Sequence, residues 1–343
     1  MRALVKASAG PGCEIADVPV PEPRRGEALV RVSAAGICGT DLHIYRWDPW
    51  ARAHVRPPRV IGHEFTGTVV ALGEDVTDVA VGDRIAGECH VACGLCHNCR
   101  RGERHICERL EIIGIDRDGA FADYVRMPAA NAWRLHDDIS TDVAAVMDPL
   151  GNAVHTALAT ELTARAVLIT GCGPIGLMAI AICRMAGAAT VTASDVNAGR
   201  LALARTMGAD LVVDSRAVDV AAAVQAQTDG QGADVVLEMS GHPTGIADSF
   251  RAVRRGGWVS LLGLPGSPVE LELGNDVIFK AVRIQGIFGR RIWDTWEQMS
   301  RLLRRGLDIT PVITHRLPME RYAEAFALLE SGNAGKVILT VEH

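Results

Sequence analysis

Residues 166–195 read AVLITGCGPIGLMAIAICRMAGAATVTASD, and this stretch decides the fold of the second half of the chain. The short apolar run 166–170 is typical of a buried strand, and the apolar segment 177–186, closed by Gly187, is typical of a helix. The run 190–194 predicts the next strand. A strand, a glycine turn, a helix and a strand in this order predict a parallel βαβ unit.

The turn of this unit has glycines at positions 171, 173 and 176. Gly171 permits a tight turn, Gly173 lets the backbone approach a pyrophosphate, and Gly176 lets the helix pack close to the strand. The helix N-terminus then offers unpaired N–H groups to phosphates. Asp195, about 20 positions further on, completes the dinucleotide fingerprint. A βαβ crossover without a nucleotide is the alternative, but this context favours nucleotide binding.

Asp195 also bears on which dinucleotide binds. A carboxylate at the end of the second strand can accept hydrogen bonds from ribose hydroxyls, and it repels a 2′-phosphate. Arg200, five residues later, could attract a phosphate instead. We give the carboxylate more weight and predict NAD rather than NADP.

Strands and helices continue to alternate as far as residue 288, which predicts an α/β domain at 151–288 with a doubly wound parallel sheet. A helix at 152–162 leads into this domain. The further strands are predicted at 211–213, 234–238, 258–262 and 284–288, and the further helices at 198–207, 219–227 and 244–254. Strand ends and the glycine turn should line the cofactor crevice, with candidate residues Gly171, Gly173, Ile175, Gly176, Asp195, Leu262, Gly263 and Leu264.

The first 150 residues have a different pattern, in which short apolar runs are separated by Pro and Gly. These runs predict the strands of a compact, mostly β domain. After residue 289 the alternation stops. Helices at 293–306 and 319–331 and a last strand at 336–341 are predicted there.

Residues 93–99 read CGLCHNC, and Cys107 follows eight positions later. Four cysteines at this spacing can converge as four thiolates around one tetrahedral metal ion. A site with four protein ligands has no open position, so we predict that Cys93, Cys96, Cys99 and Cys107 bind a structural ion. The alternative of four unrelated thiols is disfavoured by this spacing.

A second candidate metal site lies between residues 36 and 64. Cys38 offers a thiolate, His63 an imidazole and Glu64 a carboxylate. Three such ligands with one position left open are typical of a catalytic zinc site. Taken singly, Cys38 could be a small buried residue and His63 a core histidine. Thr40 and His43, close behind the cysteine, add a hydroxyl and a second imidazole.

Composition limits the class of protein. A chain of 343 residues is long for one core, so two domains are expected. The net charge of −6 gives no basic footprint, and nucleic acid is therefore an unlikely partner. We see neither a signal peptide nor an uninterrupted membrane span. Nine cysteines, several of them at metal-ligand spacing, predict reduced thiols and a cytoplasmic protein.

Two motifs, GICGTDLH at 36–43 and GHEFTGTV at 62–69, resemble the medium-chain zinc-dependent alcohol and polyol dehydrogenases. HIYRWDPW at 43–50, DPLGNAVHTAL at 148–158 and ITHR at 313–316 resemble the threonine dehydrogenases of that family, and the resemblance runs essentially from end to end. It implies a GroES-like catalytic domain made of 1–150 and 289–343, with a structural zinc lobe at about 89–110, beside a Rossmann domain. It also implies NAD, two zinc ions per subunit, L-threonine as the substrate and a homotetramer.

The resemblance assigns catalytic roles that spacing alone does not. It implies a proton relay that runs from Thr40 through the cofactor ribose to His43 and solvent. Asp148 would hold a ligand or the relay in orientation, although it could also cap the helix that follows. Glu64 would be a metal ligand, bound permanently or exchanged as the substrate binds.

The resemblance also places residues around the cofactor and the substrate. Ile287 and Phe288 would flank the nicotinamide, and Arg200 would lie at the adenosine end. An amino-acid substrate needs partners for its ammonium and carboxylate groups, and His90 is the candidate for this role.

Two other interpretations stay open. A polyol or 2,3-butanediol dehydrogenase would use the same metal and cofactor on an uncharged diol. A non-catalytic nucleotide-binding protein could use the same scaffold without its catalytic metal, but the intact set Cys38, Thr40, His63 and Glu64 argues against it.

Overall fold

The computed structural model describes residues 1–343, and the chain forms two compact units. The first unit comprises Met1–Asp148 and Ile313–His343, and the second comprises Pro149–Val312. The chain thus leaves the first unit once and returns to it for its last 31 residues.

The N-terminal segment consists mainly of short strands. Two short helices, with Cys38 and Asp48 as their N-terminal caps, occupy residues 39–54. The strands are β1 (Arg2–Lys6), β2 (Glu14–Asp17), β3 (Glu27–Gly36), β4 (Arg59–Val60), β5 (Glu64–Leu72), β6 (Arg84–Gly87), β7 (His90–Val91), β8 (Glu111–Ile112), β9 (Tyr124–Pro128) and β10 (Ala132–Arg134). The helices are α1 (Gly39–Arg46), α2 (Pro49–His54), α3 (His97–Arg100), α4 (Thr141–Ala145) and α5 (Met147–Ala157).

The second unit is built on one parallel sheet, as the alternating pattern predicted. Its strands are β11 (Ala166–Thr170), β12 (Thr190–Asp195), β13 (Leu211–Asp214), β14 (Ala233–Glu238), β15 (Val253–Leu261) and β16 (Arg283–Gly286). Its further helices are α6 (Pro174–Met185), α7 (Ala198–Thr206), α8 (Val220–Gln227), α9 (Pro243–Ala252) and α10 (Asp294–Arg304). The strand order is β13-β12-β11-β14-β15-β16, and every pair is parallel. All six strands therefore end at the same edge of the sheet, where nucleotides bind in such folds.

The last segment completes the main sheet of the first unit with β17 (Ile313–Pro318), α11 (Tyr322–Glu330) and β18 (Lys336–Thr340). The strand order is β10-β6-β5-β3-β18-β17, and β9 also pairs with β3. Phe65, Phe121 and Phe326 are fully buried in the core of this unit. The C-terminal strand therefore lies inside this sheet, between β3 and β17, rather than at its edge.

The second boundary between the units differs from the expected one. The sequence predicted that residues from 289 onwards return to the first domain, but 289–312 belong to the second unit. The buried face of α10 carries Trp296 and Met299, and the short turn Thr310–Val312 contacts α6 and α7. Helical periodicity predicts that α10 exists, but not which core it packs against.

The helix predicted at 152–162 is placed too late in the sequence, because α5 begins at Met147 and ends at Ala157. Pro149 lies in its first turn, where proline is tolerated because its missing N–H has no helical partner anyway. The apolar run 166–183 is divided between β11 and α6. The chain has no helix that combines the length and the apolar character needed to cross a bilayer.

Candidate active site

Three adjacent strands of the first unit bring together the residues of the candidate catalytic metal site. In the register of β3 with β5, Gly36 lies opposite Glu64, and in that of β3 with β18 it lies opposite Ile338. Cys38 follows the end of β3, and His63 immediately precedes β5. Ligand atoms of Cys38, His63 and Glu64 lie within 4.8 Å of one another.

The donor set of this cluster fits a metal ion. Burial is high for His63 and Glu64, whose side chains are 8% and 1% exposed. Two of their buried atoms, His63 Nδ1 and Glu64 Oε2, make no hydrogen bond. A thiolate, an imidazole and a carboxylate at such a site match the ligands that zinc takes.

Asp41 is a buried carboxylate beside this cluster that the sequence analysis did not single out. It is fully buried, and its Oδ2 accepts a hydrogen bond of 2.9 Å from the Cys38 backbone N–H at the start of α1. Its Oδ1 lies 3.6 Å from His63 Nδ1. A carboxylate behind a metal-binding histidine orients the ring, which leaves Nε2 as the nitrogen available to a metal. The sequence offered one signal for this residue: an acidic side chain three positions after the helix cap Cys38, which is the capping-box pattern.

The charge around His63 favours a cation. Burial acts to lower the pKa of His63, but Asp41 and Cys38 outweigh this effect and raise the pKa well above its usual value. Negative groups that favour a proton on the imidazole ring also favour a metal ion at the same place. Protons and metal therefore compete at this site.

Lys336, the first residue of β18, makes an ion pair with Glu64 that the sequence analysis also missed. Its Nζ lies 2.6 Å from Glu64 Oε1 and 2.5 Å from Oε2, and only the contact with Oε1 has hydrogen-bond geometry. Burial raises the pKa of Glu64, and the Lys336 ammonium opposes this shift. No local pattern could reveal the pair, because 272 positions separate the two residues.

Thr40 and His43 lie on the same face of α1, three residues apart. Thr40 Oγ1 is 3.8 Å from Cys38 Sγ. The His43 side chain is 55% exposed, and its Nδ1 pairs with Asp48. The structure therefore places one hydroxyl beside the candidate ligand and one titratable ring at the surface.

Asp148 and His90 lie near the same cluster. Asp148 is buried, and its charge acts to raise the pKa of Glu64, so the two carboxylates are close in space. Asp148 also shares a group of possible ligand atoms with Glu88 and Cys89, within 4.8 Å of one another. His90 is the next residue after this group and is buried, with Nδ1 4.0 Å from Glu88 Oε1.

The four cysteines of the second predicted metal site also converge. Their sulfur atoms lie within 4.8 Å of one another, with 4.0 Å between Cys93 and Cys99 and 3.9 Å between Cys96 and Cys107. A tetrahedron with zinc–sulfur bonds of about 2.3 Å has edges of about 3.8 Å, close to these separations.

The backbone around these cysteines favours thiolates. N–H groups of Leu95 and Cys96 lower the pKa of Cys93 to about 6, whereas burial raises the pKa of Cys99 to about 12. Arg109 also donates to Cys93 Sγ at 3.4 Å. Four crowded sulfurs cannot all ionise without a cation among them, so the arrangement suits a structural metal ion.

The glycine turn in the second unit has the geometry that a pyrophosphate needs. Gly171 has φ +91°, and a Cβ at Gly176 would overlap the Gly171 carbonyl oxygen. No protein atom lies within 4 Å of where a Cβ on Gly173 would be. Gly173 is the N-terminal cap of α6 and makes no side-chain hydrogen bond, and Pro174 is the first residue of the helix. Unpaired N–H groups therefore face an open space in front of the helix.

Asp195 lies at the end of β12, beside this turn. Its Oδ2 accepts a hydrogen bond of 2.7 Å from Cys172 N, and its Oδ1 accepts one of 2.8 Å from Asn197 N. Each carboxylate oxygen keeps a further lone pair, so ribose hydroxyls can still bind. Arg200 lies on the first turn of α7, with its Nε buried and without a hydrogen-bond partner.

The remaining predicted cofactor residues lie where neighbouring strands end. Leu262, Gly263 and Leu264 follow β15, and Ile287 and Phe288 follow β16. Leu264 is 86% exposed and Phe288 is 47% exposed, which is unusual for large apolar side chains and is consistent with a ligand-facing surface. Ile175, the fifth residue of the glycine turn, lies in the first turn of α6.

The comparisons with known proteins match both units. Residues 24–137 match the family model described as alcohol dehydrogenase GroES-like domain, and residues 174–305 match the model described as zinc-binding dehydrogenase. The L-threonine 3-dehydrogenase of Symbiobacterium thermophilum is 50% identical over 341 residues, which cover 99% of this chain and 97% of that protein.

Solved structures are similar over the whole chain. A zinc-binding dehydrogenase from Sinorhizobium meliloti bound to NADP has a TM-score of 0.91 and 33% identity, covering 99% of this chain and 98% of that one. An Escherichia coli CFT073 structure described as a short chain alcohol dehydrogenase complexed with NADH has a TM-score of 0.90 and 29% identity, covering 99% of both chains. Relatives with either dinucleotide thus share this fold.

Proposed function

This chain belongs to the zinc-binding dehydrogenases with a GroES-like alcohol dehydrogenase domain, and from that premise we propose that it oxidises L-threonine with NAD⁺ to 2-amino-3-oxobutanoate and NADH. The assignment of L-threonine as the substrate is supported by the 50% identity with an L-threonine 3-dehydrogenase over nearly the full length of both proteins. The convergence of Cys38, His63 and Glu64 supports an intact catalytic site.

Each subunit would hold two zinc ions. Cys38, His63 and Glu64 would hold the catalytic ion, with Asp41 orienting His63. The structural ion would be held by the four sulfurs of Cys93, Cys96, Cys99 and Cys107. When bound, the catalytic ion supplies a Lewis acid that lowers the pKa of a coordinated hydroxyl, and the dinucleotide accepts the hydride.

The protein's own residues must move one proton from the substrate hydroxyl to solvent. Thr40 can accept that proton and donate its own, because a hydroxyl both accepts and donates. His43 lies on the same face of α1 and is half exposed, so its ring can pass a proton on to water. The ribose link between the two residues stays a prediction, as does the role of His90 in binding the substrate's charged groups.

Asp148 would act through the groups that hold the metal. It lies close enough to Glu64 to raise the pKa of that carboxyl group. It therefore has the position expected of a residue that orients a ligand, and its position in the first turn of α5 is compatible with stabilising that helix as well.

The test of the substrate is a panel at equal protein concentration with NAD⁺. We expect L-threonine to give the highest kcat/KM, above its stereoisomers, sorbitol and 2,3-butanediol. A higher value for either diol would replace this proposal with the polyol or butanediol dehydrogenase alternative. No turnover of any alcohol, with one zinc ion or fewer per chain, would favour a non-catalytic protein.

The proposed preference for NAD depends on Asp195. Replacing Asp195→Gly should raise the KM for NAD by about tenfold or more, because hydrogen bonds to a charged group contribute about 1.5–3 kcal/mol. The KM for NADP should rise less, since the repulsion of the 2′-phosphate is lost at the same time. Steady-state kinetics with both cofactors measure this difference.

The ratio of the two kcat/KM values isolates the effect of charge. The substitution also removes the acceptors of Cys172 N and Asn197 N, and any distortion of the glycine turn should weaken both cofactors equally. An unchanged ratio would therefore remove Asp195 as the discriminating residue.

Assembly and location stay predictions from the resemblance, which implies a cytoplasmic homotetramer. One surface suited to self-association is the outer edge of β16, which pairs only with β15. Ile284 on this strand and Ile278 and Phe279 before it are exposed. Unprotected strand edges with apolar neighbours commonly pair with another chain.

A further inference from the structure

Lys336 is one of only three lysines in this chain, which carries 32 arginines. Its side chain is 4% exposed, and Nζ donates a hydrogen bond of 2.8 Å to the Ile37 carbonyl oxygen as well as to Glu64. A compact ammonium with three N–H donors can serve both acceptors in this buried space. The two acceptors therefore hold the Lys336 ammonium at one defined place next to the candidate metal site.

The surrounding backbone makes room for this pair. A Cβ on Gly36 would overlap Glu64 Oε2 and would come within 3.2 Å of Lys336 Cε. The register of the sheet fixes the same arrangement, since Gly36 pairs with Glu64 on one side and with Ile338 on the other. Three strands and one glycine thus hold the ammonium against the carboxylate.

We propose that Lys336 is a positioning residue that restrains Glu64 and makes it an exchangeable ligand rather than a permanent one. This inference rests on the proposed catalytic metal site. The ammonium and the metal ion compete for one carboxylate, of which Oε1 is hydrogen-bonded to Lys336 and Oε2 is not. A restrained Glu64 can leave the ion while the substrate binds, which adds a coordination position to the one that three protein ligands already leave open.

The ion pair between Lys336 and Glu64 also changes the charge that surrounds the metal ion. Cys38 as a thiolate and Glu64 as a carboxylate would together cancel the charge of a divalent ion. The Lys336 ammonium offsets the charge of the carboxylate, so Glu64 attracts the ion less strongly than an unpaired carboxylate would. Removing the ammonium should therefore let Glu64 bind the ion more firmly, so that this ligand exchanges less readily.

Lys336→Met tests the proposal, because it keeps most of the length of the unbranched side chain and removes the charge. Release of zinc to a chromophoric chelator is the measurement, with the structural zinc as an internal reference. We expect the release of the catalytic zinc to slow by a factor of up to about ten, which is the scale on which groups behind a ligand act. We also expect kcat to fall. Lys336→Arg, which keeps the charge, should restore the release rate at least in part.

Two further variants separate positioning from general stability. Lys6→Met removes the other buried lysine of the first unit, which donates to the Gly12 carbonyl and lies over Trp47. It should lower the melting temperature without changing zinc release. In a Glu64→Gln background, Lys336→Met should no longer slow the release, because the competing ligand has been weakened.

Unchanged or faster release of the catalytic zinc in Lys336→Met would overturn the proposal, as would an equal effect in the Glu64→Gln background. If the methionine variant does not fold, Lys336→Gln serves for the same comparison. A parent protein with only the structural zinc would instead remove the proposed catalytic site itself, so the two failures can be told apart.

Discussion

Cys38→Ser is expected to abolish turnover and to leave a folded protein. A serine hydroxyl does not ionise at neutral pH, so the site would lose its only anionic sulfur ligand. We expect kcat/KM for L-threonine to fall more than 100-fold, which is about 3 kcal/mol of transition-state stabilisation. Zinc content should fall from about two ions per chain to about one, since the four-cysteine site is separate in sequence and structure.

The matched control for this variant is Cys13→Ser. Cys13 belongs to the same unit and is partly buried, but it lies in neither cluster of metal-ligating residues. The control should keep both zinc ions and its activity. Activity retained by Cys38→Ser within tenfold of the parent would contradict the proposed metal role of this cysteine.

Cys99→Ser should have the largest effect on stability. The lobe around residues 93–110 has a cluster consisting mainly of its cysteines, with Ala92 and Leu110 against it, so little apolar packing would hold it without metal. Loss of a metal is among the few changes that cost about 4 kcal/mol or more. For large domains this corresponds to a fall in the melting temperature of about 10 °C.

The two cysteine variants control each other. Cys38→Ser should lose activity with a nearly unchanged melting temperature, whereas Cys99→Ser should unfold at a lower temperature whatever its remaining activity. Differential scanning calorimetry with zinc analysis measures both effects. A Cys99→Ser protein that keeps two zinc ions and the parent's melting temperature would contradict a structural metal site.

Features encoded over short distances were predictable from sequence. The parallel sheet follows from strands and helices that alternate within segments of about 10 residues, and the glycine turn lies between two such segments. The four cysteines of the candidate structural site span only residues 93–107, so their convergence needs little more than one loop. Local spacing likewise placed Thr40 and His43 on the helix that Cys38 caps.

Contacts between distant segments were not predictable in this way. Lys336 meets Glu64 across 272 positions, because the last segment of the chain inserts β18 beside β3. Asp41 faces His63 only because the start of α1 lies next to the start of β5. The return of the chain to the first unit comes at 313 and not at 289, because the buried face of α10 packs within the second unit.

The sequence by itself determined the fold class, the glycine turn and the donor atoms of both candidate metal sites, since periodicity, glycine spacing and ligand chemistry are local properties. The tertiary structure decided which charges surround those donors. Register between β5, β3 and β18 puts the Lys336 ammonium against Glu64, and the position of α1 puts the Asp41 carboxylate behind His63. Both arrangements depend on long-range packing that no short stretch of sequence contains.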